Sequence, residues 1–157
     1  MNWLNGDSIF SSQLEGSLHA DTQIEQRSVS LTAGGIKELV GSGELDFGGS
    51  EFKLGEREPI EPQKRDSEDD YGWWSLPEGQ YILELNETVR LSGHQCAIIQ
   101  PHEHLYWNGA SHPTLLLDED DSDMRLMLPL TVGRNGIEIK ENARVSTLYL
   151  LQEKTKN

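Results

Sequence analysis

From Val29 onward the chain changes to short apolar or alternating runs separated by glycine-rich turns, which are strand signals. SVSLT, IKELV, ELDF and SEFKL are separated by Gly-Gly, Gly-Ser-Gly and Gly-Gly-Ser, the punctuation of strands and tight turns. Pro77 to Gly79 reads as a turn and Gln80 to Leu85 as a strand. NETVRL and HQCAIIQ supply two more strands, and the three together predict a meander. Met124, Leu126, Leu128 and Leu130 alternate with Arg125, Met127, Pro129 and Thr131, as in a half-buried strand. Pro129 has no N–H to give a ladder, which places that strand at an edge or a bulge. GIEIKENARVSTLYLLQ predicts a hairpin with Glu141 and Asn142 in its turn, then a closing strand. Only the N-terminus departs from this pattern. Asp7 caps a short helix to about Glu15, with Ile9, Phe10 and Leu14 on one side and Gly16 ending it. So many short strands with almost no helix make an all-β barrel or sandwich.

Residues 1–157 have the size of one domain, or of a module that assembles with copies of itself. The formal charge is −14, from 13 Lys and Arg against 27 Asp and Glu, and no basic footprint is present, so nucleic acid is not an expected partner. Residues 55–72 combine prolines with dense acidic charge and read as a long surface loop, mobile unless a partner fixes it. Five more acids fall between Asp118 and Asp123. The single cysteine, Cys96, has no internal disulfide partner, which fits a reducing compartment. The first residues, MNWLNGDSIF, have neither a basic leader nor an apolar run of signal-peptide length, so secretion is not expected, and no apolar run has membrane-spanning length. The expectation is a soluble cytoplasmic protein. The acidic balance also suits a salt-rich cytoplasm.

Three stretches are similar to the dUTPase and dCTP deaminase superfamily, specifically its compact archaeal and bacterial branch. Ile24 to Phe47, IEQRSVSLTAGGIKELVGSGELDF, resembles an early strand of the type G-I-D-L-T-V followed by a hairpin. Trp74 to Gly109 resembles the segment with N-E-x-V that closes on P-R-S-S-L-x-R-x-G, and Gly136 to Leu150 resembles the hairpin and A-R-I-x-Q strand. The resemblance implies a dUTPase-like distorted jelly-roll barrel with one short N-terminal helix, a homotrimer, and a deoxynucleotide held between subunits.

The chemistry of the implied site is altered. Pro101, Leu105 and Gly109 keep the spacing of P-R-S-S-L, but the arginine and serines read His102, Glu103 and His104. A guanidinium fork has become an imidazole, and a hydroxyl donor has become a carboxylate that repels phosphate. Ser30 stands where the early strand has aspartate, and Thr147 where the last has glutamine, while Ala143, Arg144 and Val145 keep the A-R-I frame. Tyr106 and Trp107 replace an aliphatic and a basic residue. Asp118 and Asp120 are the acids available to orient water, but no glycine-aromatic-glycine turn follows them, and Met124 to Leu130 lacks the glutamate of deaminating members. The nucleotide-binding candidates are therefore Ser30, His102, Glu103, His104, Tyr106 and Arg144.

Apart from the resemblance, His102 and His104 share one face of a strand, and with His94 or His112 would make a cupin-like metal site; surface or hydrogen-bonded histidines are the simpler reading. A Cys96–His94 pair lacks an orienting residue, so Cys96 reads as a small core residue. Trp73, Trp74, Tyr106 and Trp107 serve either as packing or as base-stacking surfaces. GSGELDFGG lacks the lysine ending of a phosphate loop. The leading expectation is a dUTPase-fold protein with an altered nucleotide site, acting as a non-catalytic nucleotide binder or interaction scaffold. The alternatives are an active Mg²⁺-dependent dUTP diphosphatase, with Arg125, Arg134 or Arg144 as replacement phosphate contacts, and a cupin-like metal module on His102 and His104.

Overall fold

The computed structural model describes residues 1–118 and 126–153. In chain order these form β1 (Asn2–Trp3), α1 (Gly6–Gln13), β2 (Leu14–Glu15), α2 (Ala20–Gln23), β3 (Val29–Leu39) and β4 (Arg57–Pro59). Next come β5 (Trp73–Leu76), β6 (Gly79–Leu85), β7 (Thr88–Val89), β8 (Gln95–Pro101), α3 (Glu103–Trp107), β9 (Ala110–Ser111) and β10 (Leu115–Leu117). The chain closes with β11 (Met127–Val132), β12 (Ile137–Lys140) and β13 (Arg144–Gln152). One antiparallel sheet runs in the order β10-β8-β13-β3-β6-β11-β9, with β1 added to β13 and β4 to β3. Two small ribbons, β12-β5 and β2-β7, complete a distorted jelly roll.

Strand alternation builds the core. Leu83 and Leu85 of β6, Leu128 and Leu130 of β11, and Leu148 and Leu150 of β13 are wholly buried. Each contributes roughly 1.5–3 kcal/mol of burial. Pro129 sits opposite Ile82 on β6, while the other side of β11 is paired only at Thr131 and Val132, so the proline occupies an open edge as expected.

The local signals were right more often than the partners inferred from them. SVSLT and IKELV are one strand, β3, and the supposed Gly-Gly turn is a bulge between Ala33 and Gly35. ELDF and SEFKL form no ladder but meet through a single bridge between Glu44 and Lys53 and through Asp46, whose carboxylate accepts from the Glu51 N–H at 3.0 Å. The expected meander is absent. β6 pairs with β3 and β11, whereas β8 pairs with β13 and β10, and β7 pairs with β2. β12 and β13 are joined by a turn but are not hairpin partners, since β12 lies on β5. At the N-terminus Asn5 caps α1, accepting from the Ser8 N–H at 2.8 Å, and the helix gives way to β2 before Glu15. α2 and α3 add two short helices to the one expected. The 55–72 segment is tied down at several points: β4 pairs with β3, Gln63 bridges Trp73, and the Trp74 indole donates to the Ile60 carbonyl at 2.7 Å. Among the described residues no helix is long and apolar enough to cross a membrane.

Candidate functional site

The Pro101 to Gly109 segment leaves the sheet as a helix, and this changes what its side chains can do. The His102 N–H donates to the Val145 carbonyl at 3.0 Å, and the imidazole then turns back to cap α3. Its Nδ1 accepts from the His104 N–H at 3.1 Å, and the residue is buried. Leu105 anchors the helix in the core; Asn108 ends it, donating to the His104 carbonyl at 2.7 Å, and Gly109 takes φ +79° to turn into β9. His102 and His104 therefore do not share a strand face. Their rings meet edge-on with centroids 4.7 Å apart. Burial lowers the His102 pKa, helped by the His104 and Arg144 charges and opposed by Glu103 and Glu25, so the ring stays neutral and keeps Nδ1 free to accept.

The expected metal cluster does not assemble. His102 has spent one ring nitrogen on the helix cap. His94 lies at the opposite end of β8, with Nδ1 3.1 Å from Glu153, while His112, buried beside Ser146, has both ring nitrogens engaged, Nδ1 2.8 Å from the Pro113 carbonyl and Nε2 2.8 Å from Ser146 Oγ. Among the described residues no three His, Cys, Asp or Glu side chains converge as metal ligands. The cupin-like reading fails on this geometry.

The nucleotide candidates divide between two grooves. Ser30, His102, Glu103 and Tyr106 line one of about 480 Å³ with Thr147 and Arg27. Ser30 itself is buried, leaving His102 and Ser30 little free polar surface there. His104 and Arg144 face a larger groove of about 900 Å³, where they meet Arg134, Lys140, Asn108 and Trp73. Three cations, Arg134, Lys140 and Arg144, line this groove against two carboxylates, Glu78 and Glu138, a local excess of positive charge in a chain of charge −14. Asp118 joins neither groove. It borders a third hollow with His94, Cys96 and Glu153. Because Leu117 pairs with Ala97, it lies about five strand residues, roughly 16 Å, from Pro101 along β8. Cys96 is only half-buried there, not a core residue. Asp120 and Arg125 lie outside the described residues.

Two buried polar networks hold the strand that carries Arg144. Glu87 has no exposed surface and accepts from Gln23 Nε2 at 2.7 Å, the Thr32 N–H at 2.8 Å and the Thr32 hydroxyl at 2.7 Å. Thr32 is the register partner of Arg144. Next to Glu87, the Asn86 amide donates to Thr32 Oγ1, the Ala33 carbonyl and Asn142 Oδ1, and so fixes the turn at Asn142, where φ is +66°. Beyond a bulge, Ser146 lies 2.8 Å from Nε2 of buried His112, whose Nδ1 is 2.8 Å from the Pro113 carbonyl. A carbonyl only accepts, so Nδ1 carries the proton and neutral Nε2 accepts from the Ser146 hydroxyl. Sequence reasoning passed over both networks. The N-E pair sits directly after an apolar strand, which is the one cue to a buried polar anchor.

Burial lowers the His112 pKa from its ordinary value of 6.5, against the pull of the Pro113 and Val145 carbonyls. Below pH 6.5 the unfolded chain takes up a proton that the folded protein resists, so this stabilisation is complete above pH 6.5 and is lost as pH falls toward the folded value. His102 acts in the same direction. Urea midpoints between pH 7.5 and 5 are expected to fall less steeply in His112→Gln than in the unaltered protein. Parallel pH profiles would remove His112 from the account.

Known proteins agree with this architecture. A probable deoxyuridine 5'-triphosphate nucleotidohydrolase of Methanosarcina mazei is 32% identical over 135 residues, covering 86% of this chain and 75% of the relative. The chain belongs to the dUTPase/dCTP deaminase superfamily. A protein of the same description from Archaeoglobus fulgidus is 31% identical over 132 residues, 84% of this chain and 74% of its own. No family model matches the chain. A 2'-deoxycytidine 5'-triphosphate deaminase from Agrobacterium tumefaciens superposes on 94% of this chain with a TM-score of 0.61 at 14% identity, and the chain spans 47% of that protein. That likeness is one of fold. For this superfamily member the expected phosphate grip at 102–104 is a helix-capping histidine, an exposed carboxylate and a second histidine.

Proposed function

We propose that this protein is a homotrimeric binder of a deoxynucleoside triphosphate whose site has lost ordinary turnover. The observation that carries this reading is the large groove, whose lining brings Arg134, Lys140 and Arg144 together with His104. Two further features support the loss of turnover. His102 and Glu103 offer neither a guanidinium fork nor a hydroxyl to a triphosphate, and Asp118 lies remote from both grooves within one chain. The described residues do not fit a resident Mg²⁺, because no set of three ligands converges among them. A Mg²⁺ ion arriving with the phosphates would be part of the ligand.

A second reading has one observation in its favour, the naming of curated relatives as probable dUTP nucleotidohydrolases. In that case water attacks the α-phosphorus of dUTP, the α–β bridging bond breaks, and dUMP and pyrophosphate leave. Incubation with dUTP or dCTP and Mg²⁺, followed by nucleotide separation, decides between the two. The expected result is no dUMP from dUTP and no dUTP from dCTP. A nonhydrolysable dUTP analogue is expected to saturate the protein in calorimetry, one per chain, with the protein sedimenting as three chains. Rapid release of dUMP would establish the second reading; absence of any binding heat would end the first.

A further inference from the structure

Trp73 stands at the rim of the cationic groove, directly opposite Lys140 in the β5–β12 register, and its ring is not bare. The Arg65 guanidinium lies over it with Cζ 3.6 Å from the ring centroid, and Lys140 Nζ is 5.6 Å away. Paired hydrogen bonds between Gln63 and Trp73, 2.8 and 2.9 Å, bring the acidic segment to this point, so Arg65, two residues on, reaches the ring. Arg65 also pairs with Glu138, but both side chains are about half exposed, and such a pair holds its partners weakly. A flat cation thus covers a flat aromatic face beside three groups that attract phosphate.

We infer that Trp73 is the stacking plate for the base of the bound nucleotide and that Arg65 is a built-in placeholder which the base displaces. This rests on the nucleotide reading of the large groove. A guanidinium and a nucleobase both stack face-on over an indole, so the two compete for one surface. With the base on Trp73, the phosphates extend toward Lys140 and Arg144. The acidic segment then has a role its composition did not reveal: it keeps the plate covered until a ligand arrives.

The sign of one substitution separates this from ordinary roles for Arg65. As a phosphate ligand, or as a screen for Glu138, Arg65 would help an anion bind, and Arg65→Ala would weaken binding. As a placeholder it hinders binding, and Arg65→Ala is expected to tighten the nonhydrolysable dUTP analogue about two- to fivefold. Trp73→Leu is expected to weaken the analogue about tenfold. Inorganic tripolyphosphate, which has no base, is expected to gain nothing from Arg65→Ala and lose nothing in Trp73→Leu. Calorimetry on the full chain reads all of these, and the Arg65→Ala result stands by itself if Trp73→Leu does not fold. Weaker analogue binding by Arg65→Ala, or binding indifferent to both substitutions, overturns the placeholder while leaving the nucleotide reading intact. No binding of analogue or tripolyphosphate to any of the three proteins overturns both.

Discussion

Glu87→Ala is expected to lower the unfolding free energy by about 3–5 kcal/mol. Glu87 is fully buried and takes hydrogen bonds from Gln23, the Thr32 N–H and the Thr32 hydroxyl. Alanine leaves those donors without an acceptor and opens a cavity where water is excluded. Gln23 would lose more than one contact, because its Oε1 also accepts from the Leu18 and His19 N–H groups and so ties the α2 entry to the same network. Glu87→Gln is the sharper probe. Whichever way the amide is turned, its NH₂ faces a donor, either the Thr32 N–H or the Gln23 amide, so a loss of about 1–3 kcal/mol is expected with almost no change in volume. Burial raises the Glu87 pKa against the pull of these hydrogen bonds. The folded protein therefore holds this proton more tightly than the unfolded chain, whose value is near 4.5; that contribution is present below pH 4.5 and is lost as pH rises through the folded value. It opposes the histidine effect, so Glu87→Gln should steepen the loss of stability on acidification. Urea unfolding followed by far-ultraviolet circular dichroism measures both. A Glu87→Ala protein within 1 kcal/mol of the unaltered one at pH 7 would show the network to be replaceable by water.

The contrast between what the sequence reveals and what it hides follows from the range of the interactions. Tyr81, Leu83 and Leu85, or Leu128 and Leu130, announce strands because a side chain's face is set by its neighbours two residues away. Which strand lies beside which is decided by contacts far apart in sequence. β13 goes to β8 and β3, not to adjacent β12, and nothing in IEIKENARVS marks that choice. The 103–107 helix was hidden for a different reason. At five residues it is too short to show a period. Its stop signal, Asn108-Gly109, was in view and could have exposed it. The candidate residues Arg144 and His104 were legible from the family resemblance, but their facing a different groove from Ser30, His102, Glu103 and Tyr106 depends on the 103–107 segment being a helix, which turns His104 to the other side. Trp73 was visible only as an aromatic without a partner, since Arg65 reaches it through a bridge from Gln63 that carries no local signature.

Arg144→Ala is expected to weaken the nonhydrolysable dUTP analogue about 10- to 100-fold with little change in stability. Arg144 opens β13 immediately after the Asn142 turn, and the surrounding hydrogen bonds leave its backbone little freedom. The Asn142 N–H donates to the Ala33 carbonyl, the Ala33 N–H to the Ala143 carbonyl, and the Ala143 N–H to the Lys140 carbonyl, all between 2.9 and 3.0 Å. Asn86 fixes the turn from one side, while His112 holds Ser146 just beyond the bulge. The side chain itself is only lightly engaged, donating to the Thr22 carbonyl at 3.4 Å, so its removal costs the fold little. A rigid backbone under a lightly held guanidinium is the arrangement that puts a charge in place for a ligand without spending it on structure. Arg144→Lys keeps the charge but not the fork, and should recover part of the affinity, with the remainder more sensitive to salt. Glu87→Gln supplies the complementary test. By loosening Thr32, the strand partner of Arg144, it should weaken the analogue several-fold under conditions where the protein remains folded, and this loss should largely vanish when Arg144 is already alanine. If Arg144→Ala and Arg134→Ala both leave the affinity within twofold, the phosphates do not lie in the large groove, and the smaller groove beside His102 and Tyr106 becomes the place to look.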